Sequence, residues 1–456
     1  MSAVAKLLIE QGHLVTGSDE GFYPPISLYL IENNIPCSSP YKKENIPNDV
    51  DTIVIGKHAS LVPEKNEEVA EAFLSKRKIL SFPEVLKEMT ENRERTVVAG
   101  SYGKSTCTAL ISWCLSQNGV DAGYIIGAIP ITPKINAHIG KAKEFILEGD
   151  EYPSSNWDST SKFLYYSPQN LLVTALAHDH INIFPTHEEY IAPYKKLLSQ
   201  VPEDGIIVAC VGDETISSLL ETFPKNTIPY GTSKNNGWYA DNIVWGLETT
   251  FDLIQKGQVV AQITTKLLGL HNIQNIVGVS AILLETKKIK VDQLISAVAS
   301  FKGIVRRLDK KSEKTTIPIY EGFGSSIDKA RSAIEAIKLH FPNHRLVVIF
   351  EPHTFSWRNI QALSWYDTVF KDVDTVFLYK PPVTGEETHE QLTLEQITKR
   401  IEDAKVDVHP FETKDDGINI IMENITENDV VLILSSGGMD GLMPELIKNI
   451  EEKFPI

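Results

Sequence analysis

Apolar residues recur along the chain with two periods, one helical and one alternating. Val4, Leu7 and Leu8 fall on one face of a helix predicted over residues 1–12, with Gly12 as its stop. A strand is predicted at 14–16, running into Gly17-Ser18-Asp19. A helix followed by a strand with an acidic end matches a dinucleotide-type βαβ unit entered at its helix, so a first strand and Gly-rich turn are expected upstream of Met1. Strands at 52–55 and 79–82 complete a small α/β unit, and the charged segment 87–95 is the expected linker. Short apolar strands then recur at 96–99, 145–147, 171–174 and 206–210 with helical stretches between, the pattern of a mostly parallel sheet. Short β segments fill 230–268, including the turn Asn235-Asn236-Gly237. A helix follows at 272–286, then a break at 301–303. The last part alternates again, with strands at 317–320, 346–350, 375–379 and 430–434. The predicted class is α/β in three domains: a Rossmann-like unit over 1–90 without its first strand, a central P-loop ATPase-type sheet over 91–302, and a Rossmann-like domain over 303–456.

Composition narrows this picture. The 456 residues carry 42% hydrophobic and 23% charged side chains, which excludes a disordered or collagenous chain. A net charge of -16 repels polyanions, so no nucleic-acid partner is expected and anionic ligands need local cations. The four cysteines fit neither a zinc spacing nor a disulfide framework, which points to a reduced, cytoplasmic compartment. No apolar run approaches the roughly 18 residues of a spanning helix, and no basic leader precedes one, so no membrane partner is expected. The oligomeric state is not encoded in any of these signals.

The sharpest chemical signal is Val97-Val98-Ala99-Gly100-Ser101-Tyr102-Gly103-Lys104-Ser105-Thr106, a strand entering a Gly-rich turn and then a helix. Backbone N–H groups around Gly100 and Gly103 can cradle a polyphosphate at a helix N-terminus. Lys104, read as solvated, can reach the outer phosphates, and the Ser105 hydroxyl can ligate Mg2+. The usual pattern has a glycine five positions before Gly103, where Val98 stands. Cys107, Leu110, Ile111 and Cys114 follow at i, i+3, i+4 and i+7, the buried face of such a helix, so both cysteines are expected in the core. Glu148-Gly149-Asp150-Glu151 closes one strand and Asp179-His180 follows another, and strand ends are where α/β sheets gather ligands. Ser105, Glu148 and His180 suit a Mg2+ site. Asp150 and Glu151 read equally well as a polar loop, and Asn272 as a helix cap.

These segments, in this order together with His271-Asn272-x-x-Asn275 and Arg306-Arg307, resemble the Mur ligase family over nearly the whole chain. The resemblance implies ATP-dependent amide ligation through an acyl phosphate, with ATP and Mg2+. Lys104, Glu148 and His180 would act in catalysis. Gly100, Gly103, Lys104, Ser105 and Thr106 would hold phosphates, and His271, Asn272 and Asn275 the adenine side. Arg306 or Arg307 would touch ATP phosphate. Ser18 and Asp19 would belong to a UDP-sugar pocket, Glu151 to a substrate site, and His353 and Arg358 to the segment facing the incoming amine. Implied partners are UDP-N-acetylmuramate and a peptide or amino-acid acceptor. Tyr23-Pro24-Pro25 and Glu151-Tyr152-Pro153 resemble members that take a cell-wall tripeptide; members that take L-alanine are the alternative. Some positions depart from the family pattern. Ala175 and Asn182 replace an Asn and an acid, and Tyr320-Glu321-Gly322-Phe323-Gly324-Ser325-Ser326 replaces an Asp-Asp-x-Ala-His-His-like segment. A nucleotide-binding chain without ligase activity is therefore the other expectation.

Overall fold

The computed structural model describes every residue except 24–25, 178–182, 222, 224–226, 235–236 and 384–389. The expected Asp179-His180 pair, Asn182, Pro24-Pro25 and the Asn235-Asn236 turn lie outside the described residues. The chain divides into two compact units, one of residues 1–243, 251–264 and 274–301, the other of 244–250, 265–273 and 302–456. Among the described residues no helix is long and apolar enough to cross a membrane.

The first unit opens with the helix Ser2–Glu10, which buries Val4 and Leu7. The following strand is Gly17–Ser18, paired in parallel with Cys37–Ser38, and not residues 14–16. Ladder pairing starts only where the partner strand runs alongside, and Leu14 is left fully exposed. Thr52–Ile55 and Lys78–Ser81 form a second parallel pair. A ten-stranded sheet follows, and Glu94–Ala99 lies between Glu144–Gly149 and Asn170–Val173, parallel to both. Register sets Ala99 opposite Gly149 on one side and Val173 on the other, so three strand ends finish level. Both faces of these strands are covered: Val97, Val98, Phe145, Leu147, Leu171 and Leu172 have no exposed surface. The helix Lys104–Gln117 buries the Cys107, Leu110, Ile111 and Cys114 stripe, as its periodicity predicts.

The second unit holds a six-stranded sheet in the order Arg307–Lys310, Ile319–Gly322, Asp429–Leu434, Arg345–Phe350, Thr375–Tyr379, Asp407–Phe411. Its first pair is antiparallel and the rest are parallel. Alternation along Arg345–Phe350 sends Leu346, Val348 and Phe350 into one core and Val347 and Ile349 into the other. The strand predicted at 317–320 runs Ile319–Gly322, so Glu321 is a buried strand residue and not part of a loop. Phe350 packs edge-on against Trp357 at 5.0 Å and Phe370 at 5.2 Å, and the Trp357 indole N–H donates to the Gly324 carbonyl at 2.7 Å.

Candidate active site

The Gly-rich turn follows from backbone geometry and close approach. Gly100 and Gly103 hold φ of 138° and 83°. A Cβ on Gly100 would stand 2.3 Å from Thr174 Oγ1, and one on Gly103 would stand 2.5 Å from Asn275 Oδ1. Both positions therefore need glycine twice over. The turn is pinned to the neighbouring strand end: Ser101 N donates to Ala175 O at 2.8 Å, Ser101 Oγ donates to Ala177 O at 2.7 Å, and Thr174 Oγ1 donates to Tyr102 O. Thr106 is half-buried in the helix turn that begins at Lys104.

Lys104 is not the solvated side chain expected from the sequence. Its Nζ lies 2.9 Å from Glu151 Oε2 and donates to Gly100 O at 2.5 Å; the two side chains are 15% and 1% exposed. Parallel pairing of the strands that precede them brings the two residues together across 47 positions. The ammonium is the counter-ion of a buried carboxylate. Glu148 Oε1 accepts from Ser105 Oγ at 2.8 Å and Oε2 from Gly127 N at 2.6 Å. Burial pushes the Glu148 carboxyl up, against the opposing pull of those hydrogen bonds and of Lys104. Asp150 turns elsewhere, pairing with Lys162 at 2.6 Å, whose ammonium lies 5.9 Å from the Tyr152 ring centre. Among the described residues no group of three His, Cys, Asp or Glu side chains is arranged around a metal position. The Ser105 hydroxyl and the Glu148 carboxylate nonetheless offer adjacent hard oxygens beside a cation, a donor set that fits Mg2+, which takes few protein ligands. His180 lies outside the described residues.

The helix predicted at 272–286 runs Leu270–Glu285 and so starts two residues early. Asn272 consequently lies inside the first turn and does not serve as the N-cap. It is buried, and its Nδ2 donates back to Leu268 O at 2.8 Å. Asn275 abuts Gly103, and the His271 ring meets Ser332 Oγ at 3.3 Å. Ser18 Oγ donates to the Glu68 carboxylate, which also accepts from Lys42 N and Asn45 Nδ2 at 3.0 Å; Tyr41 OH donates to the exposed Asp19 at 3.2 Å.

In the second unit Glu351, His353, Tyr379, Lys380 and the Gly438–Gly441 turn line a cavity of about 400 Å3 at the sheet's C-terminal edge. Ser435 Oγ donates to the buried Glu351 carboxylate, and His353 Nδ1 lies 3.4 Å from Ser436 Oγ. Two arginines expected at ligands are committed to protein. Arg358 is buried, donating to Pro382 O and Gln391 Oε1 at 3.1 Å each, and does not line the cavity. Arg306 donates to Glu321 Oε1 at 2.9 Å and to the carbonyls of Ser435 and Gly437. Arg307 stays exposed over the Phe323 ring at 5.8 Å. Sequence reasoning missed Gly127, Thr174 and Lys380. The position of Gly127 just past the strand Gly123–Ile125 was the one available hint.

Three family models account for most of the chain: a Mur ligase family catalytic domain over 1–94, a Mur ligase middle domain over 98–283 and a Mur ligase glutamate ligase domain over 306–437. The chain belongs to the Mur ligase family and is an ATP-dependent carbon–nitrogen ligase of peptidoglycan biosynthesis. It is 25% identical over 466 residues to the UDP-N-acetylmuramate–L-alanyl-γ-D-glutamyl-meso-2,6-diaminoheptandioate ligase of Haemophilus influenzae, covering 99% of this chain and 97% of that one. It is 28% identical over 442 residues to the UDP-N-acetylmuramate–L-alanine ligase of a Geobacter species, covering 96% and 93%. The crystal structure of a Thermotoga maritima UDP-N-acetylmuramate–alanine ligase shares the fold, with a TM-score of 0.81 at 21% identity over 99% and 97% of the two chains.

Proposed function

We propose that the chain joins UDP-N-acetylmuramate to the cell-wall tripeptide L-alanyl-γ-D-glutamyl-meso-diaminopimelate in the cytoplasm, using ATP and Mg2+, as a step of peptidoglycan recycling. The observation that carries the ligase chemistry is the phosphate loop, in which Lys104 and the Ser105–Glu148 pair converge at level strand ends. The muramate carboxylate attacks the γ-phosphorus and ADP leaves, giving an acyl phosphate. The acceptor amine then attacks the acyl carbon, phosphate leaves, and the nitrogen gives up a proton. Lys104 exchanges Glu151 for the transferring phosphoryl group and offsets its charge. Mg2+, when bound, neutralises charge building on the phosphate oxygens; Ser105 and Glu148 would hold it. The loop amides orient the phosphates, while Asn275, Asn272 and His271 serve the adenine side and Arg307 a phosphate. Ser18 and Asp19 serve the UDP-sugar.

The tripeptide is favoured by the size and charge of the second unit's cavity. About 400 Å3 exceeds what a methyl and one carboxylate need, and Lys380 and His353 can meet an acceptor's carboxylates while Glu351 and Asp440 face its ammonium. The 28% identity to an L-alanine ligase favours the second reading, in which the acceptor is L-alanine. Phosphate release measured with each component omitted in turn tests the proposal. Release should require ATP, UDP-N-acetylmuramate and tripeptide together; release that ignores the sugar nucleotide would refute it.

A further inference from the structure

We propose that Arg306 and Glu321 form a clamp that positions the Ser435–Gly441 turn, and with it one wall of the acceptor cavity, and that Arg306 is not a nucleotide contact. The inference rests on reading that cavity as the acceptor's. Arg306 is held at several points: Nε donates to Glu321 Oε1 at 2.9 Å, Nη2 to Ser435 O at 3.1 Å and Gly437 O at 2.7 Å, and its amide to Asp309 Oδ1 at 2.7 Å. Its backbone is left-handed at φ 62°, as is that of Leu308 at 58°, a conformation that persists only where surroundings fix it. Glu321 is 3% exposed and gives its other oxygen to Lys311 at 2.8 Å, which also pairs with Asp309. Two cations and two carboxylates thus balance, and the fork of one guanidinium spans both a carboxylate and a loop backbone, a geometry a lysine ammonium does not reproduce.

From the clamp the constraint passes directly to the cavity. Ser435 Oγ donates to Glu351, and Gly437 N donates to Ser435 Oγ at 2.8 Å. Gly437 is packed so tightly that a Cβ there would lie 2.3 Å from the His353 ring and 2.5 Å from Glu351 Oε2. The next residues, Gly438 to Gly441, line the cavity, and Tyr379 OH donates to Asp440. Loss of the clamp therefore displaces the wall that carries Asp440, while Glu351 and His353 lose their backing. The segment around Glu321, which departs from the family pattern in sequence, acquires a positioning role in this way.

The test combines hydrogen exchange with steady-state kinetics on the full chain carrying Arg306→Ala, Arg306→Lys or Glu321→Gln. Exchange at the Gly437–Gly441 amides should accelerate about tenfold or more in Arg306→Ala, and Arg306→Lys should not restore protection. The tripeptide KM should rise about tenfold with a smaller fall in kcat, and the ATP KM should stay within about twofold. If Arg306→Ala fails to fold, Glu321→Gln, which keeps the side chain's shape, carries the same expectations in smaller measure. Unchanged loop exchange, or a raised ATP KM with an unchanged acceptor KM, overturns the clamp. If the wild-type chain ligates no acceptor, the functional reading fails, and the exchange result still decides the clamp.

Discussion

The phosphate loop and the Ser435–Gly441 turn are both Gly-rich segments that leave the end of a parallel strand, yet they are held in different ways. Gly100 and Gly103 are fixed by their own dihedrals and by atoms within 2.5 Å of where a Cβ would sit. In the second turn Gly437 is packed as tightly and Gly441 also holds a positive φ, but Gly438 and Gly441 meet nothing within 4 Å, and the turn is tied down as well by Arg306 from 131 residues earlier. Shape in the first loop comes from its glycines' own dihedrals together with the close approach of Thr174 and Asn275. In the second, local packing at Gly437 is joined by a side-chain network that reaches in from outside. A site that must grip an invariant polyphosphate gains from a rigid local frame, whereas a wall that meets an acceptor can be repositioned by exchanging one distant tether.

The largest effect should come from Lys104→Ala. Losing its contact to the transferring phosphate should lower kcat by about 10²- to 10³-fold. Because the pair with Glu151 is buried, the same substitution should also cost about 3–5 kcal/mol of stability, read by denaturant unfolding. Adding Glu151→Gln should recover most of that stability and none of the turnover. Recovery of both would mean that Lys104 acts only as a structural counter-ion.

Next in size is the contrast between the two turns. Gly103→Ala forces a Cβ onto Asn275 at a positive φ, and about 1–3 kcal/mol of strain together with weakened nucleotide binding should follow. Gly438→Ala should change stability by no more than about 0.5 kcal/mol, since its Cβ enters open space. Equal costs at the two positions, measured by thermal unfolding and nucleotide titration, would erase the distinction drawn between them.

What was legible follows the same division. The helix stripe of Cys107, Leu110, Ile111 and Cys114, the glycines of the phosphate loop and the strand ends at Glu148 are local signals, and the fold sets them where the periodicity indicates. Partners were not legible when they come from distant strands. Lys104 looked solvated because Glu151 is 47 residues away, and Arg358 looked like a ligand donor because its acceptors, Pro382 and Gln391, sit on a later loop. Glu321 read only as part of a segment that departs from the family pattern, because nothing in that segment shows that it faces Arg306 and Lys311. Asn272 read as a cap because the helix start was placed two residues late.

The smallest expected effect concerns His340, at the end of the helix Ile327–His340 in the second unit. Its Nε2 accepts from Gly269 N at 2.9 Å and its Nδ1–H donates to Gly246 O at 2.7 Å, so it is neutral in the fold. Burial lowers its pKa, partly opposed by the bond to Gly246. The unfolded chain takes up the proton at about 6.5, ahead of the folded one, so stability is full above that pH and declines as pH falls through the lowered folded value. His340→Gln should flatten this acid limb of the stability curve. A limb that survives the substitution would assign it to other groups.

The central claim is the acceptor. Purified chain given ATP, Mg2+ and UDP-N-acetylmuramate with equimolar tripeptide and L-alanine, followed by mass spectrometry of the sugar nucleotide, tests it most directly. The account predicts one new amide carrying the tripeptide, formed in step with ADP. A product carrying L-alanine alone, or ADP formed without any amide, would contradict it.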